Sequence, residues 1–411
     1  MNLVIDCFKL VKGAGKSIGI YNLAESITRH LGERAEHGTE GNSGHSIIVL
    51  GNSHNKKNFD VPGVTFVEMK GDPLNKIYCI WWELFLVPRY AAKYKADRIL
   101  FPRGFAPFSA AMAAARGSVP GSLRKIKDTI IIHDLIPFFY DKYYPGVFNK
   151  LENAYIMNRL KASIKQADRI ITISEFSKED ILDKVPGCEK KITVIHNGLN
   201  DVSYESVPYG NATNDNGETE SGLGGEEGEK PADQKEYIVA MTSGLPHKNA
   251  KGILKAYEAY YKRVKEQGND PLCLVVIGVP DTSFYAEMEE EAKAHVRCHK
   301  FFEDFKELCK MAAGGKAYLF LSYAEGFGFP PLEAMQMGVP VVCSDRSSLP
   351  EVVKDAGILV NPDDTAAVAE ALDKVITDER LRKELIAKGY ENIKRFSWES
   401  RTDLYWKELF R

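Results

Sequence analysis

The chain has 411 residues, a formal net charge of −3 and an apolar fraction of 44%, which suits a globular protein too long for one ordinary core and sized for two domains. A near-neutral balance leaves no broad basic field for a nucleic-acid backbone, so no nucleic-acid partner is expected. Seven cysteines, odd in number and without a Cys-x-x-Cys pair, read as reduced, mostly buried thiols of a cytoplasmic protein.

The sequence opens on MNLVIDCF, which runs straight into a strand at Leu3–Ile5. It has no basic leader and no small-residue cleavage site, so no signal peptide is expected. The glycine-rich stretch GAGKSIG then enters a helix with Ile20, Leu23, Ala24, Ile27 and Leu31 on one face. Further strands are predicted at Ser46–Leu50, Val64–Val67, Arg98–Phe101, Thr129–Ile132, Arg169–Ile173 and Ile192–Ile195. Several are continuous apolar runs, as in a sheet buried on both faces. Between them, Ile77–Val87 (IYCIWWELFLV) falls well short of the roughly 20 residues of a spanning helix. Burial is its expected fate, and contact with a membrane surface is the alternative.

Residues 209–235 are rich in Gly, Asn and Glu and nearly without apolar side chains, so they read as a flexible insertion at a domain boundary. Their sequon at Asn211 is a chance match in a chain without a secretory signal. Strands resume at Tyr237–Met241, Leu272–Ile277, Ala317–Leu321, Val339–Cys343 and Gly357–Val360. Helices are predicted over Ala250–Glu266, Pro331–Met337, Thr365–Thr377, Glu379–Arg395 and, after an N-capping Ser397, Trp398 to Phe410. His295, Cys298 and His299 have metal-like spacing, but a helical surface rich in His and Lys explains them, and no metal site is expected. The organisation is α/β: a Rossmann-like domain at 1–200, a linker with its insertion at 201–236, a second Rossmann-like domain at 237–395, and a last helical segment at 396–411. Two such doubly wound domains are expected to face a central cleft with the carboxyl edges of their sheets.

The chemistry concentrates in Tyr323–Leu349. A strand runs into a turn where Gly326 and Gly328 let the backbone approach a ligand, and Pro330 and Pro331 open a helix. Free N–H groups at that helix start can receive a diphosphate. Glu333, placed in the first helical turn, and Glu325, before the loop, are carboxylates able to accept from vicinal sugar hydroxyls. Taken singly, each has a structural explanation: Glu333 complements the helix dipole, and Glu325 is a loop residue.

This segment resembles the Glu-x7-Glu signature of retaining glycosyltransferases of family 4, which have the GT-B fold, with Glu325 and Glu333 at the two positions. ADRIITISEFSKEDI, VIHNGLN, SGLPHKN, MGVPVVCSD, AGILVNPDD and RFSWE are similar to family segments in the expected order. The resemblance implies that Glu333 binds the donor ribose and Glu325 the transferred sugar, with the backbone N–H groups of Phe327 and Gly328 nearby. It implies that Lys248 pairs with the diphosphate. The arginine often found beside this lysine is His247 here, after Thr242 and Ser243, so neutral donors share the phosphate. His133, before Asp134 at a strand end, would contact donor sugar or acceptor, and Gly15 and Gly19 would face the donor phosphates. Acceptor recognition is assigned to first-domain aromatics: Trp81, Trp82, Phe105 and the run Pro137–Tyr144.

The implied reaction is metal-independent, retaining transfer of a hexose, mannose- or rhamnose-like, as in bacterial surface polysaccharides. It needs no cofactor, only a nucleotide diphosphate sugar as co-substrate. The acceptor would be a glycan or lipid-linked glycan, with peripheral contact to the inner membrane face. A nucleotide-sugar epimerase, a sugar phosphorylase or a non-catalytic sugar-nucleotide-binding subunit are the competing classes.

Overall fold

A computed structural model describes residues 1–13, 18–37, 44–107, 126–200, 236–279, 287–300 and 305–411. Gly15 and the 209–235 insertion with its sequon lie outside the described residues. The chain divides into two units: Met1–Asn200 with Ala324–Phe327 and Arg395–Arg411, and Asp201–Tyr323 with Gly328–Lys394.

The first unit is built on β1 (Asn2–Asp6), β2 (Ser46–Gly51), β3 (Thr65–Glu68), β4 (Arg98–Phe101), β5 (Lys127–Ile132), β6 (Arg169–Thr172) and β7 (Ile192–Val194). They form one sheet in the order β3-β2-β1-β4-β5-β6-β7 with every pairing parallel. Ile130 and Ile131 of β5 and Ile170 and Ile171 of β6 are wholly buried, which is why these strands read as unbroken apolar runs. Helices α1 (Ile18–His37), α2 (Lys76–Trp81), α3 (Ile136–Tyr143), α4 (Lys150–Gln166) and α5 (Glu175–Lys184) supply the crossovers and covering layers. The parallel order brings Asp6, Pro102, His133 and Ser174 to the carboxyl edge of this sheet.

The apolar run at 77–87 is half buried, not buried outright. A π-helical turn at Trp82–Leu86 follows α2 and shifts the helical phase. Trp82, Glu83 and Val87 face inward, whereas Ile77, Ile80, Trp81 and Phe85 stay exposed. Glu83 is tolerated inside because Lys9 and Arg159 both pair with it, Arg159 at 3.4 Å.

The second unit holds β8 (Tyr237–Met241), β9 (Cys273–Ile277), β10 (Val296–His299), β11 (Gly315–Phe320), β12 (Val341–Ser344) and β13 (Gly357–Val360), with α6 (Ala250–Glu266), α7 (Phe329–Gln336), α8 (Thr365–Thr377) and α9 (Glu379–Ile393). Its sheet is also parallel throughout, in the order β10-β9-β8-β11-β12-β13. Strand β10 corrects the expected helical surface around His295, Cys298 and His299. In a strand, Cys298 and His299 project from opposite faces, and the His295 ring contacts the Glu291 carbonyl at 3.1 Å. Among the described residues no group of three or more His, Cys, Asp or Glu is arranged to hold a metal ion.

Helix α10 (Trp398–Leu409), capped by Ser397, lies on α1 within the first unit. Trp398 stacks on His30 at 4.9 Å and donates its indole N–H to Asn200 Oδ1 at 3.0 Å. It also covers Gly198, where an added Cβ would come within 2.4 Å of the indole. The VIHNGLN and RFSWE segments are therefore two sides of one packing contact. All seven cysteines are free thiols, and no described helix is long and apolar enough to cross a membrane.

Candidate functional site

In the second unit, the turn after β8 is fixed at several points. Thr242 donates its backbone N–H to the Ile277 carbonyl at 3.0 Å and its hydroxyl to the Lys248 carbonyl at 2.9 Å. Asn249 takes a left-handed conformation (φ 53°, ψ 43°), tolerated by Asn better than by most residues, and caps α6 by accepting from Gly252 N at 3.1 Å. Its amide also donates to the Leu321 carbonyl at 3.1 Å, and Tyr323 N donates to the His247 carbonyl at 2.7 Å. The turn is thus tied to the end of β11 on both sides of Lys248, whose ammonium lies 5.8 Å from the Phe320 ring centre.

The same turn alters the expectation for His247. Residues 246–248 form a 3-10 turn, in which successive side chains point about 120° apart. His247 goes inward and is 4% exposed, so its backbone carbonyl, not an open imidazole, is what it offers at this edge. Ser243 accepts from Leu245 N at 3.4 Å and is partly exposed.

Helix α7 starts two residues earlier than expected, at Phe329, behind a Gly328 cap with φ 114°. Pro330 and Pro331 fill the second and third positions and have no N–H, so at this helix start only Gly328 and Phe329 carry a backbone N–H outside the intrahelical pattern. A diphosphate thus finds fewer backbone donors here than the sequence suggests. Glu333 sits at the fifth position, in the second turn, and the first turn carries no acid. Its carboxyl is partly buried, makes no hydrogen bond or ion pair among the described residues, and is pushed by desolvation up to about 7.

In the first unit, His133 follows β5. Its Nε2–H donates to the Pro102 carbonyl at 2.7 Å, which fixes the tautomer and leaves Nδ1 as an acceptor. Burial, with the Arg103 charge adding to it, lowers its pKa to about 4. At neutral pH His133 is therefore an uncharged hydrogen-bond acceptor and a weak base. Asp134 Oδ1 accepts from Ile136 N at 3.0 Å and is occupied in shaping the start of α3.

The strip Ala324–Phe327 belongs to this unit. Gly326 packs so closely on the His133 carbonyl that a Cβ would come within 2.4 Å of the oxygen. Its own carbonyl accepts from the Ser174 hydroxyl at 2.9 Å and the Ser177 hydroxyl at 3.4 Å. Both serines are buried. Glu325, 9% exposed, is held between these anchored residues. The Phe327 ring is buried edge-on against Phe396 at 5.5 Å, so only its backbone can serve a ligand.

The remaining sequence-predicted residues divide. Trp82 is enclosed, stacked on Phe8 at 4.2 Å with its N–H donated to Asp6 Oδ1, and has no face for an acceptor. Trp81 is exposed, and Phe105 is partly exposed beneath the Lys9 ammonium. Gly19 lies exposed in the first turn of α1, where nothing demands a glycine. Sequence reading missed Asn249, Ser174 and Ser177 as positioning residues. All three precede or open helices as Asn or Ser, a capping signal that could have singled them out.

Residues 226–392 match the family model "Glycosyl transferases group 1", and residues 27–202 match "Glycosyltransferase Family 4". The chain is 29% identical over 278 residues to O-antigen chain mannosyltransferase B of Escherichia coli, covering 66% of each. It is 26% identical over 290 residues to the serotype-specific mannosyltransferase WbdA of the same organism, covering 70% of this chain and 34% of the relative. The aligned stretch thus spans from about two thirds to about one third of these relatives. Among solved structures, sucrose-phosphate synthase of Thermosynechococcus elongatus superposes with a TM-score of 0.65 at 18% identity, covering 100% of this chain and 99% of that one. The Anabaena HepE protein in complex with UDP-glucose gives 0.64 at 15% identity over 100% and 99%. Two wholly parallel Rossmann-like sheets, matched by these folds and by the two family models, make the chain a member of the GT-B glycosyltransferases of group 1 and family 4.

Proposed function

We propose that the protein transfers a mannose-like hexose from a nucleoside diphosphate sugar to a hydroxyl of a glycan or lipid-linked glycan, with retention and without a metal ion. The observation that carries this reading is the Glu333 carboxyl: partly buried, without a protein partner among the described residues, and in the second turn of α7, the helix that follows β11. A vicinal diol is a partner such a group lacks, and the donor ribose supplies one. Lys248, on a turn fixed by Thr242 and Asn249, offers the cation for the diphosphate. The bond from the anomeric carbon to the phosphate oxygen breaks as the acceptor oxygen attacks from the same face, and the acceptor proton passes to the departing phosphate. Negative charge grows on the diphosphate during this step, so a fixed ammonium favours the transition state over the ground state. Glu325 and the Nδ1 of His133 would accept from sugar hydroxyls. Mannose is favoured because the O-antigen relatives are mannosyltransferases by name.

The test is a thermal-shift screen against UDP, GDP, dTDP and ADP and their sugars, followed by product analysis. A nucleotide at roughly 100 times its dissociation constant adds about 2.7 kcal/mol, so GDP-mannose should raise the melting temperature measurably. An inverted product, activity abolished by EDTA and restored by magnesium, or no stabilisation by any nucleotide would refute the proposal.

A further inference from the structure

Tyr323 is the last residue of the second unit before the strip Ala324–Phe327. Its backbone N–H donates to the His247 carbonyl at 2.7 Å, beside Lys248. Its hydroxyl reaches the other way along the sheet edge and donates to Asp363 Oδ1 at 2.6 Å. In the strand order β8-β11-β12-β13, one residue at the end of β11 thus joins the turn after β8 to the loop after β13.

The far anchor is firm. Asn361 Oδ1 accepts from Asp363 N at 3.1 Å and the Asn361 carbonyl from Asp364 N at 3.0 Å, so residues 361–364 close into a turn. Asp364 then caps α8 by accepting from Ala367 N at 2.9 Å. The loop after β12 joins the same anchor. Arg346 Nη2 donates to Asn361 Oδ1 at 2.9 Å and lies 3.8 Å from Asp363 Oδ2, while Asp345 N donates to the Val360 carbonyl at 2.8 Å. Next to Arg346, Ser347 is held at φ 55°, a left-handed conformation that persists in a residue other than glycine only where its neighbours fix it.

These contacts are poorly suited to stabilising the fold. The Asp363 and Arg346 side chains are 60% and 47% exposed, and pairs in that much water contribute little to folding. Their effect is to fix where the loops stand. Placement matters most for a cation that acts in the transition state, because an error of about 1 Å can slow a reaction about a hundredfold. We propose that Tyr323 is a positioning residue for the transfer step: anchored on Asp363, it holds the Lys248 turn where the ammonium meets the departing diphosphate. This rests on the assignment of Lys248 to the diphosphate.

The test compares the parent, Tyr323→Phe, Lys248→Met and the double variant in the full chain. Hydrogen exchange of the unliganded protein needs no donor. The Lys248 and Asn249 amides, which close the turn onto the Leu245 and Pro246 carbonyls, should exchange at least about tenfold faster in Tyr323→Phe, with the melting temperature and the strands unchanged. In the transfer assay Tyr323→Phe should lower kcat at least about tenfold with donor KM within about twofold. In the Lys248→Met background the same substitution should change kcat by less than about twofold, since a residue acting through Lys248 has nothing left to act on. Asp363→Asn, which keeps an acceptor for the phenol, should retain most of the parent's kcat, whereas Asp363→Ala should behave like Tyr323→Phe. Unchanged exchange at Lys248 and Asn249, equal kcat losses in both backgrounds, or a loss confined to KM and melting temperature would overturn the proposal. A parent that transfers no sugar from any donor would instead refute the assigned reaction, and hydrogen exchange alone would then decide whether Tyr323 holds the turn.

Discussion

Glu333 combines an unfavourable solvation with a functional assignment, and the two give opposite signatures. Its ordinary value of 4.5 rises to about 7 because burial penalises the charged form. The stability gained by keeping it neutral is complete below pH 4.5 and lost as pH rises through about 7. Glu333→Gln should therefore raise the melting temperature at pH 8 by an amount worth on the order of 2–3 kcal/mol, leave it nearly unchanged at pH 4.5, and reduce transfer at both. Scanning calorimetry and a turnover assay at those two pH values check this; equal shifts at both would contradict it. Donor affinity should run the other way, rising up to about tenfold per pH unit until Glu333 is ionised, and Glu333→Gln should flatten that limb. His133 contributes nothing to the profile near neutrality, because its value of about 4 keeps it uncharged there. Lys248→Met should lower kcat by about 10²–10³ with a smaller change in donor KM, since its charge matters most once the diphosphate is leaving. A change in KM alone would assign Lys248 to ground-state binding.

At the level of elements, glycines mark where two segments meet. Gly198 lies under the Trp398 indole, and a methyl group there has only 2.4 Å. Gly198→Ala should cost about 1–3 kcal/mol through overpacking and lower the melting temperature by several degrees, leaving donor KM intact. A variant as stable as the parent would mean that α10 can shift without penalty. The strands were readable wherever both faces are buried, as in β5 and β6, because such strands need unbroken apolar runs. Strand β10 was not, since VRCH at a sheet edge has to satisfy one neighbour only and carries charge. The phase of 76–93 was hidden for a different reason: a π-helical turn breaks the 3.6-residue period on which the reading depends. In the candidate site, Glu333, Lys248 and His133 stand out in the sequence by residue type and position. The inward turn of His247 and the donor-poor start of α7 are local but hinge on where a turn and a helix begin, whereas the grip of Ser174 and Ser177 on Gly326 joins residues about 150 positions apart.

At the scale of the whole chain, the final segment is covalently continuous with the second unit but packs in the first. Leu199 N donates to the Phe396 carbonyl at 2.8 Å, Arg34 pairs with Asp403, and Trp406 and Phe410 close over His45. Leu409 and Tyr405 are buried there as well. Ending the chain after Lys394 therefore removes apolar cover from α1 and β2, while every strand and crossover helix of the second sheet remains. The expected result is a selective loss. The first unit should melt at a lower temperature or become sensitive to proteolysis within Met1–Asn200, whereas nucleotide should still stabilise residues 236–394. Limited proteolysis with mass mapping, in the presence and absence of GDP, separates the two units. Cleavage spread evenly through both would show that the last helix supports the second unit too. Protection of Met1–Asn200 equal to that of the intact chain would show that its contacts on α1 contribute little. The outcome matters for the reaction because His133 and the Gly326 strip belong to the first unit and Lys248 and Glu333 to the second. A truncated chain that binds nucleotide without transferring sugar would mean that donor recognition needs only the second unit, while transfer also requires an intact first unit.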